Sequence, residues 1–118
     1  IQVHNNSPLH AVRGLVHANG NKISAFIGDG VIVSTPYGSS GYFNAVAKKT
    51  FSKGIGVAFN NPTTPLKPLL LKENAIVEIT ITRRHGLFVA DNNPATTLLD
   101  KGDKVIVKNS NEFARFVV

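Results

Sequence analysis

The sequence has no cysteine and no methionine. Without thiols there is no disulfide framework, no Cys-based zinc ribbon, no iron–sulfur ligation and no thiol nucleophile. Charge is sparse: 17% of the residues are charged, too few for a coiled coil or a charge-rich disordered chain. Long hydrophobic runs are missing too. A membrane-spanning helix needs ~20 apolar residues, and the greasiest loop-like stretch, Pro68 to Leu71, falls far short. No basic, apolar and small-residue succession marks a signal peptide at the amino terminus. The expected setting is therefore cytoplasmic, with no membrane partner. The chain begins at Ile1 rather than Met and reads as a piece of a longer protein.

What is present suits one small domain. The 118 residues are 42% hydrophobic, enough for a real core. Thirteen Lys and Arg against seven Asp and Glu give a net charge of +6. Such a field favours anionic partners: nucleic acid, nucleotides, phosphate or acidic lipid. The densest basic groups are Lys48-Lys49 with Lys53, and Arg83-Arg84-His85. Neither is a block of five, and the ordinary reading is solvated positive surface.

The chain pattern points to β structure. Asn19-Gly20-Asn21 is a hairpin signal between Ala11–Ala18 and Lys22–Ile27, since Asn-Gly tolerates positive φ. Val31-Ile32-Val33 is a short, wholly apolar run of the kind found in buried strands. Gly54–Phe59 is a second such run. Ala75–Thr82 alternates, with Ala75, Val77, Ile79 and Ile81 on one face and Ile76 as the exception. Gly86–Ala90, Ala95–Leu99, Lys104–Lys108 and Glu112–Val118 follow, with turns at Asp91-Asn92-Asn93-Pro94 and Asp100-Lys101-Gly102-Asp103. Asn60–Pro68, with three prolines, reads as a loop. The predicted class is all-β: a compact, β-sandwich-like domain of about eight or nine short strands. One short helix is expected near residues 40–49. There Tyr42 and Val46, and Phe43 and Ala47, pair at i,i+4, with Ser39 or Ser40 as a cap and Lys48 and Lys49 at the carboxyl end.

The segment from Gly28 to Tyr42 carries the chemistry. It is a turn with one carboxylate, Gly28-Asp29-Gly30, then the buried strand, then Ser34-Thr35-Pro36-Tyr37-Gly38-Ser39-Ser40-Gly41-Tyr42. Backbone N–H groups and hydroxyls at a helix start offer a site for an anion or a polar ligand edge. Gly38 and Gly41 allow close approach to the backbone. Tyr42 supplies a face for a planar ring, and Asp29 an acceptor for ribose hydroxyls or an amide NH2. The competing structural reading is a plain β-turn followed by an N-cap.

This segment resembles the signature of the NAD kinases, the ATP- or polyphosphate-NAD kinase family. That signature is a Gly-Asp-Gly, an apolar strand, then Ser-Thr-Pro-Thr-Gly-Ser-Thr-Ala-Tyr. Tyr37 replaces the second Thr, Ser40 the third, and Gly41 the Ala. Asn6-Ser7-Pro8 with Ala11-Val12-Arg13 is similar to the family's strand after its Asn-Glu motif. Pro68-Leu69-Leu70-Leu71 with Glu73-Asn74-Ala75, Phe88 to Asn92, and Lys101-Gly102-Asp103 with Val105 resemble later family segments, so the likeness covers nearly the whole chain.

The resemblance implies the C-terminal NAD-binding β domain, occupying residues 1–118. The family moves the γ-phosphate of ATP, or a phosphate of inorganic polyphosphate, onto the 2′-hydroxyl of the adenosine ribose of NAD, giving NADP. Its catalytic carboxylate lies in a Gly-Gly-Asp-Gly motif of a separate N-terminal α/β domain. No such motif occurs here, so no catalytic residue is assigned to this fragment, which by itself is expected to be inactive. By position, Asp29 matches the Asp that binds the nicotinamide end, Tyr37 and Ser40 match adenine contacts, and Gly41 and Tyr42 line the nicotinamide and ribose. Expected ligands are NAD, and ATP through the other domain, with Mg2+ for the full-length enzyme and no permanently bound cofactor. A homodimer or homotetramer is expected. Two departures stand out: Phe43 to Lys49 lacks the family's Gly-Gly pair, and the family's Pro-His-Ser-Leu-Ser-Phe-Arg-Pro loop becomes Pro62-Thr63-Thr64-Pro65-Leu66-Lys67-Pro68. That loop is one residue shorter, has no His, and carries Lys67 in the place of the Arg.

Other chemistries fit less well. His4, His10 and His17 have no supporting carboxylate, and no metal site is expected. Gly38-Ser39-Ser40-Gly41 is one residue short of a Gly-x-Ser-x-Gly elbow. A small basic β-barrel for single-stranded nucleic acid would interleave aromatics with charge. The seven phenylalanines here are scattered and read mostly as core, so no nucleic-acid partner is expected. A non-catalytic oligomerisation module is the other alternative.

Overall fold

The structure, a computed structural model, describes residues 1–7, 9–36, 42–47, 51–83, 85–90, 96–109 and 114–117. Along the described chain run β1 (Gln2–Asn5), β2 (Val12–Ala18), β3 (Asn21–Gly28), β4 (Gly30–Ser34), α1 (Tyr42–Ala47), β5 (Ile55–Asn60) and β6 (Leu69–Leu71). They are followed by β7 (Ile76–Arg83), β8 (Gly86–Val89), β9 (Thr96–Leu99), β10 (Lys104–Asn109) and β11 (Ala114–Val117). Two antiparallel sheets result, ordered β6-β5-β4-β1-β8-β9 and β11-β10-β7-β2-β3. The all-β reading holds.

Period-2 patterning builds the core. In β2, Val12, Gly14, Val16 and Ala18 are buried while the residues between them are not. In β7, Val77, Ile79 and Ile81 point inward and Ile76 is 47% exposed, as its break in the alternation required. Val16, Val77, Ile79, Ile81, Val105 and Val107 of one sheet share a core with Val3, Val31, Val33, Val57, Phe59 and Phe88 of the other. Phe26 and Phe59 meet across it, ring centroids 5.9 Å apart. The β2–β3 hairpin turns at Asn19 and Gly20, both with positive φ (52° and 83°), as a two-residue turn of this hand needs. Asn19 Oδ1 also accepts the Ile76 N–H at 2.9 Å, tying the turn to β7.

β4 and β5 do not alternate because both their faces are covered. Val31, Val33, Ile55, Val57 and Phe59 enter the main core. Ile32 and Ala58 face the other way, under Phe43 of α1 with Val46, Ala47 and Phe51 around them. Phe43 and Phe51 pack edge-to-face at 5.2 Å. The helix lies within the predicted 40–49 window. Its expected cap at Ser39 or Ser40 and its flanking Lys48 and Lys49 lie outside the described residues, as does the turn at Asp91 to Pro94.

The strand count differs from the eight or nine expected: eleven strands are described. β1 and β6 are the additions. β1 has a single fully buried residue, Val3, and no apolar period, yet it pairs with β4 on one side and β8 on the other. β6 is three residues long and pairs with β5 alone. Both are strands because neighbours supply their hydrogen bonds, a tertiary cause that local pattern does not carry.

Candidate functional site: a carboxylate at the crossover between the sheets

Asp29 stands where the chain leaves the five-stranded sheet at the end of β3 and enters the six-stranded sheet at β4. The plain tight turn is not what forms. Among the described glycines, positive φ belongs to Gly20, Gly54 and Gly102, not to Gly28 or Gly30. These two glycines instead admit neighbouring backbone. A Cβ on Gly30 would collide with the Val3 carbonyl oxygen, and a Cβ on Gly28 would lie 2.7 Å from the Asn61 carbonyl oxygen and 2.9 Å from Pro62 Cα. The Gly-Asp-Gly motif is thus squeezed between β1 and the segment that leaves β5.

Those two neighbours hold Asp29 through both backbone and side chain. The Asn5 N–H donates to the Asp29 carbonyl at 2.8 Å, and the Asp29 N–H donates to the Asn60 carbonyl at 2.9 Å. Asn5 Nδ2 donates to Asp29 Oδ1 at 3.2 Å, and Asn61 Nδ2 donates to Oδ2 at 3.3 Å. Asn61 achieves this from a left-handed backbone, φ 48°. The Asn5 amide also donates to the Ser7 carbonyl at 3.1 Å, which accepts the His10 N–H as well.

An open cleft of about 520 Å3 lies here, lined by Asp29 and Asn60 with Gln2, His4, Asn5, Asn6 and Ser7. Its lining residues are of polar types, and Asp29 is the carboxylate among them. His4 Nδ1 donates to the Asn5 carbonyl at 2.8 Å, which assigns the ring proton to Nδ1. A second cleft of about 630 Å3 is lined by Val46 of α1, Phe59, Asn60, Asn61 and the proline-rich segment to Pro68, with Lys67 as its cation. Asn60 lines both clefts. Asp29 offers the first cleft an acceptor for a ligand's hydroxyl or amide donors.

Of the predicted site residues, Asp29 opens on the first cleft. Tyr42 begins α1, four residues before Val46, which lines the second; its side chain is outside the described set. Tyr37, Ser40 and Gly41 also lie outside the described residues. The described helix has six residues, and the loop expected to offer its N–H groups and hydroxyls to a ligand lies outside the described residues. Asn5, Asn60 and Asn61 are site residues that sequence reasoning missed. The signal is Asn60-Asn61-Pro62 directly after an apolar strand, which by itself reads as the start of a loop. The histidines are dispersed: His4 is on β1 in one sheet and His17 on β2 in the other. Among the described residues no group of three or more His, Asp or Glu could hold a metal ion, and no helix is long and apolar enough to cross a membrane.

The chain is a two-sheet antiparallel β domain with an anchored carboxylate, Asp29, at one of two open clefts that share Asn60. Its family is defined more closely by comparison: the chain belongs to the ATP-NAD kinase C-terminal domain family, whose family model matches residues 2–118. This bears out the resemblance carried by Gly28 to Tyr42. An NAD kinase of Thermomicrobium roseum is 29% identical over 108 residues, covering 87% of this chain and 37% of that protein. An NAD kinase of Thermoplasma acidophilum is 30% identical over 108 residues, covering 86% of this chain and 39% of that protein. The chain therefore spans well under half the length of these relatives. The fold of yeast NADH kinase, solved in complex with NADH, matches 98% of this chain and 35% of that one with a TM-score of 0.85 at 24% identity. An Archaeoglobus fulgidus NAD kinase, solved in complex with ATP, matches 98% of this chain and 45% of that one with a TM-score of 0.76 at 18% identity.

Proposed function

We propose that this chain is the NAD-binding domain of an NAD kinase, which phosphorylates the 2′-hydroxyl of the adenosine ribose of NAD with ATP or polyphosphate to give NADP. Family membership supports the reaction class. The observation that carries the site is the Asp29 carboxylate, anchored by Asn5 of β1 and by Asn61 just after β5, and open to a cleft lined by residues of polar types. In this reading Asp29 accepts hydrogen bonds from the nicotinamide end of NAD. Tyr37 and Ser40 contact the adenine, and Gly41 and Tyr42 line the nicotinamide and its ribose. The domain's contribution is positional: it holds the acceptor nucleotide still, which removes much of the entropic barrier to transfer.

ATP and the catalytic carboxylate belong to the N-terminal domain of such an enzyme. Mg2+ travels with the phosphoryl donor, and no residue of this chain is assigned to it. The assembly is a homodimer or homotetramer working in the cytoplasm. Asp29→Asn, in the natural polypeptide that carries these residues, tests the site. Asn keeps the size of the side chain and removes its charge. The expected result is a folded protein whose NAD affinity falls about ten- to a hundredfold, the worth of a charged hydrogen bond, with ATP affinity unchanged. Unaltered NAD affinity would remove Asp29 from the site.

A further inference from the structure

Asp29 is held by neutral donors. Among the described residues no cation pairs with its carboxylate; its side-chain partners are the amides of Asn5 and Asn61, one on each oxygen. A Lys or Arg in either place would fix the carboxylate and cancel its charge together. An amide fixes it and leaves the charge in place, and each oxygen keeps acceptor capacity for a second donor. Two unrestrained side-chain torsions would otherwise have to be frozen when a ligand arrives.

Asn61 reaches Asp29 from an uncommon backbone conformation. Its φ of 48° lies in the left-handed region that side chains seldom adopt. Glycine meets that requirement with the least strain. Asn is the residue that tolerates it and also brings a side-chain donor. The backbone of the same segment also meets the Gly28-Asp29 step. The Asn60 carbonyl accepts the Asp29 N–H at 2.9 Å, and the Asn61 carbonyl occupies the space that Gly28 leaves free. Asn5, from the other side, uses its amide twice, once on Asp29 and once on the Ser7 carbonyl.

From this juxtaposition we infer that Asn61 and Asn5 are positioning residues: they aim the Asp29 carboxylate at the hydroxyl or amide donors of a bound nucleotide's nicotinamide end without neutralising it. The inference rests on the reading of Asp29 as an NAD contact. Its test is Asn61→Gly in the natural polypeptide, with binding of NAD and of ADP measured by titration calorimetry. ADP lacks the nicotinamide riboside half. Glycine keeps the left-handed backbone and deletes the donor to Asp29. NAD affinity is expected to fall about three- to tenfold, as for the loss of one hydrogen bond, with ADP affinity unchanged. On an Asp29→Asn background the same substitution is expected to have no further effect on NAD. Asn5→Ala, at a strand position with no special backbone demand, is expected to reproduce the loss, and it decides the matter alone if Asn61→Gly does not fold. Equal weakening of NAD and ADP, or an undiminished effect on the Asp29→Asn background, would reduce the two asparagines to a structural role and overturn the inference. So would intact NAD affinity in Asn61→Gly and Asn5→Ala while Asp29→Asn weakens NAD. If Asp29→Asn itself leaves NAD affinity intact, the reading of Asp29 fails, and the positioning role with it.

Discussion

A carbonyl oxygen has no rotamer to move to, and this makes Gly30 a fixed point of the site. In β4 it lies opposite His4 of β1, and any Cβ there would run into the Val3 carbonyl. Relief would require β1 and β4 to separate at the register that also carries Asn5 toward Asp29. Gly30→Ala is therefore expected to destabilise the domain by about 1–3 kcal/mol, as for an overpacked interior, read as a lower urea midpoint. NAD binding should weaken in the same variant, because Asn5 and Asp29 are displaced together. Gly30→Ala with an unchanged midpoint would mean that the two strands part at little cost.

At the scale of elements, α1 is six residues long and cannot be stable by itself. Its anchor is Phe43, which covers Ile32 and Ala58 and meets Phe51 edge-on. Phe43→Ala is expected to cost about 3–5 kcal/mol. Hydrogen exchange across residues 42–47 should accelerate more than in the two sheets, because Phe43 is the buried side chain of the helix among the described residues. β7 offers a matched pair on one strand. Ile76, 47% exposed, should tolerate Thr within about 0.5 kcal/mol. Ile79, fully buried, should lose about 0.5–1.5 kcal/mol even on the mild change to Val. Chemical denaturation of the two variants checks the inward and outward assignment. Comparable losses at both positions would contradict it.

The whole molecule sets the limit on what this chain can do alone. Phosphoryl transfer requires a donor and an acceptor held in line, with the developing charge stabilised. On the proposed reading the 118 residues supply the acceptor site, and Asp29, the carboxylate that lines the first cleft among the described residues, is taken up in binding. Residues 1–118, purified alone with NAD, ATP and Mg2+, are expected to form no NADP. An enzymatic cycling assay that detects NADP from the fragment would overturn this. The six-stranded sheet ends in two short edge strands, β6 and β9, that expose Leu70 and Leu98. Such edges are usually covered. Sedimentation of the natural polypeptide is expected to show a homodimer or homotetramer, and a monomer at high micromolar concentration would count against it.

Much of the architecture was legible in the sequence because its causes are local. Alternation in Ala75–Thr82 fixes which side chains face inward. Asn19-Gly20 fixes a hairpin, and the unbroken Val31-Ile32-Val33 announces a strand covered on both faces. The signature from Gly28 to Tyr42 pointed to the family in the same way, since its residue types and spacing lie within one short stretch. What only the tertiary structure decided is non-local. β1 and β6 have no pattern of their own and exist because β4, β8 and β5 pair with them. Gly28-Asp29-Gly30 reads locally as a turn; the approach of the Val3 and Asn61 backbones makes it a crossover. The amides that hold Asp29 come from positions 24 and 32 residues away along the chain. Strand register sets those distances, and register is a property of paired strands, not of either sequence segment alone.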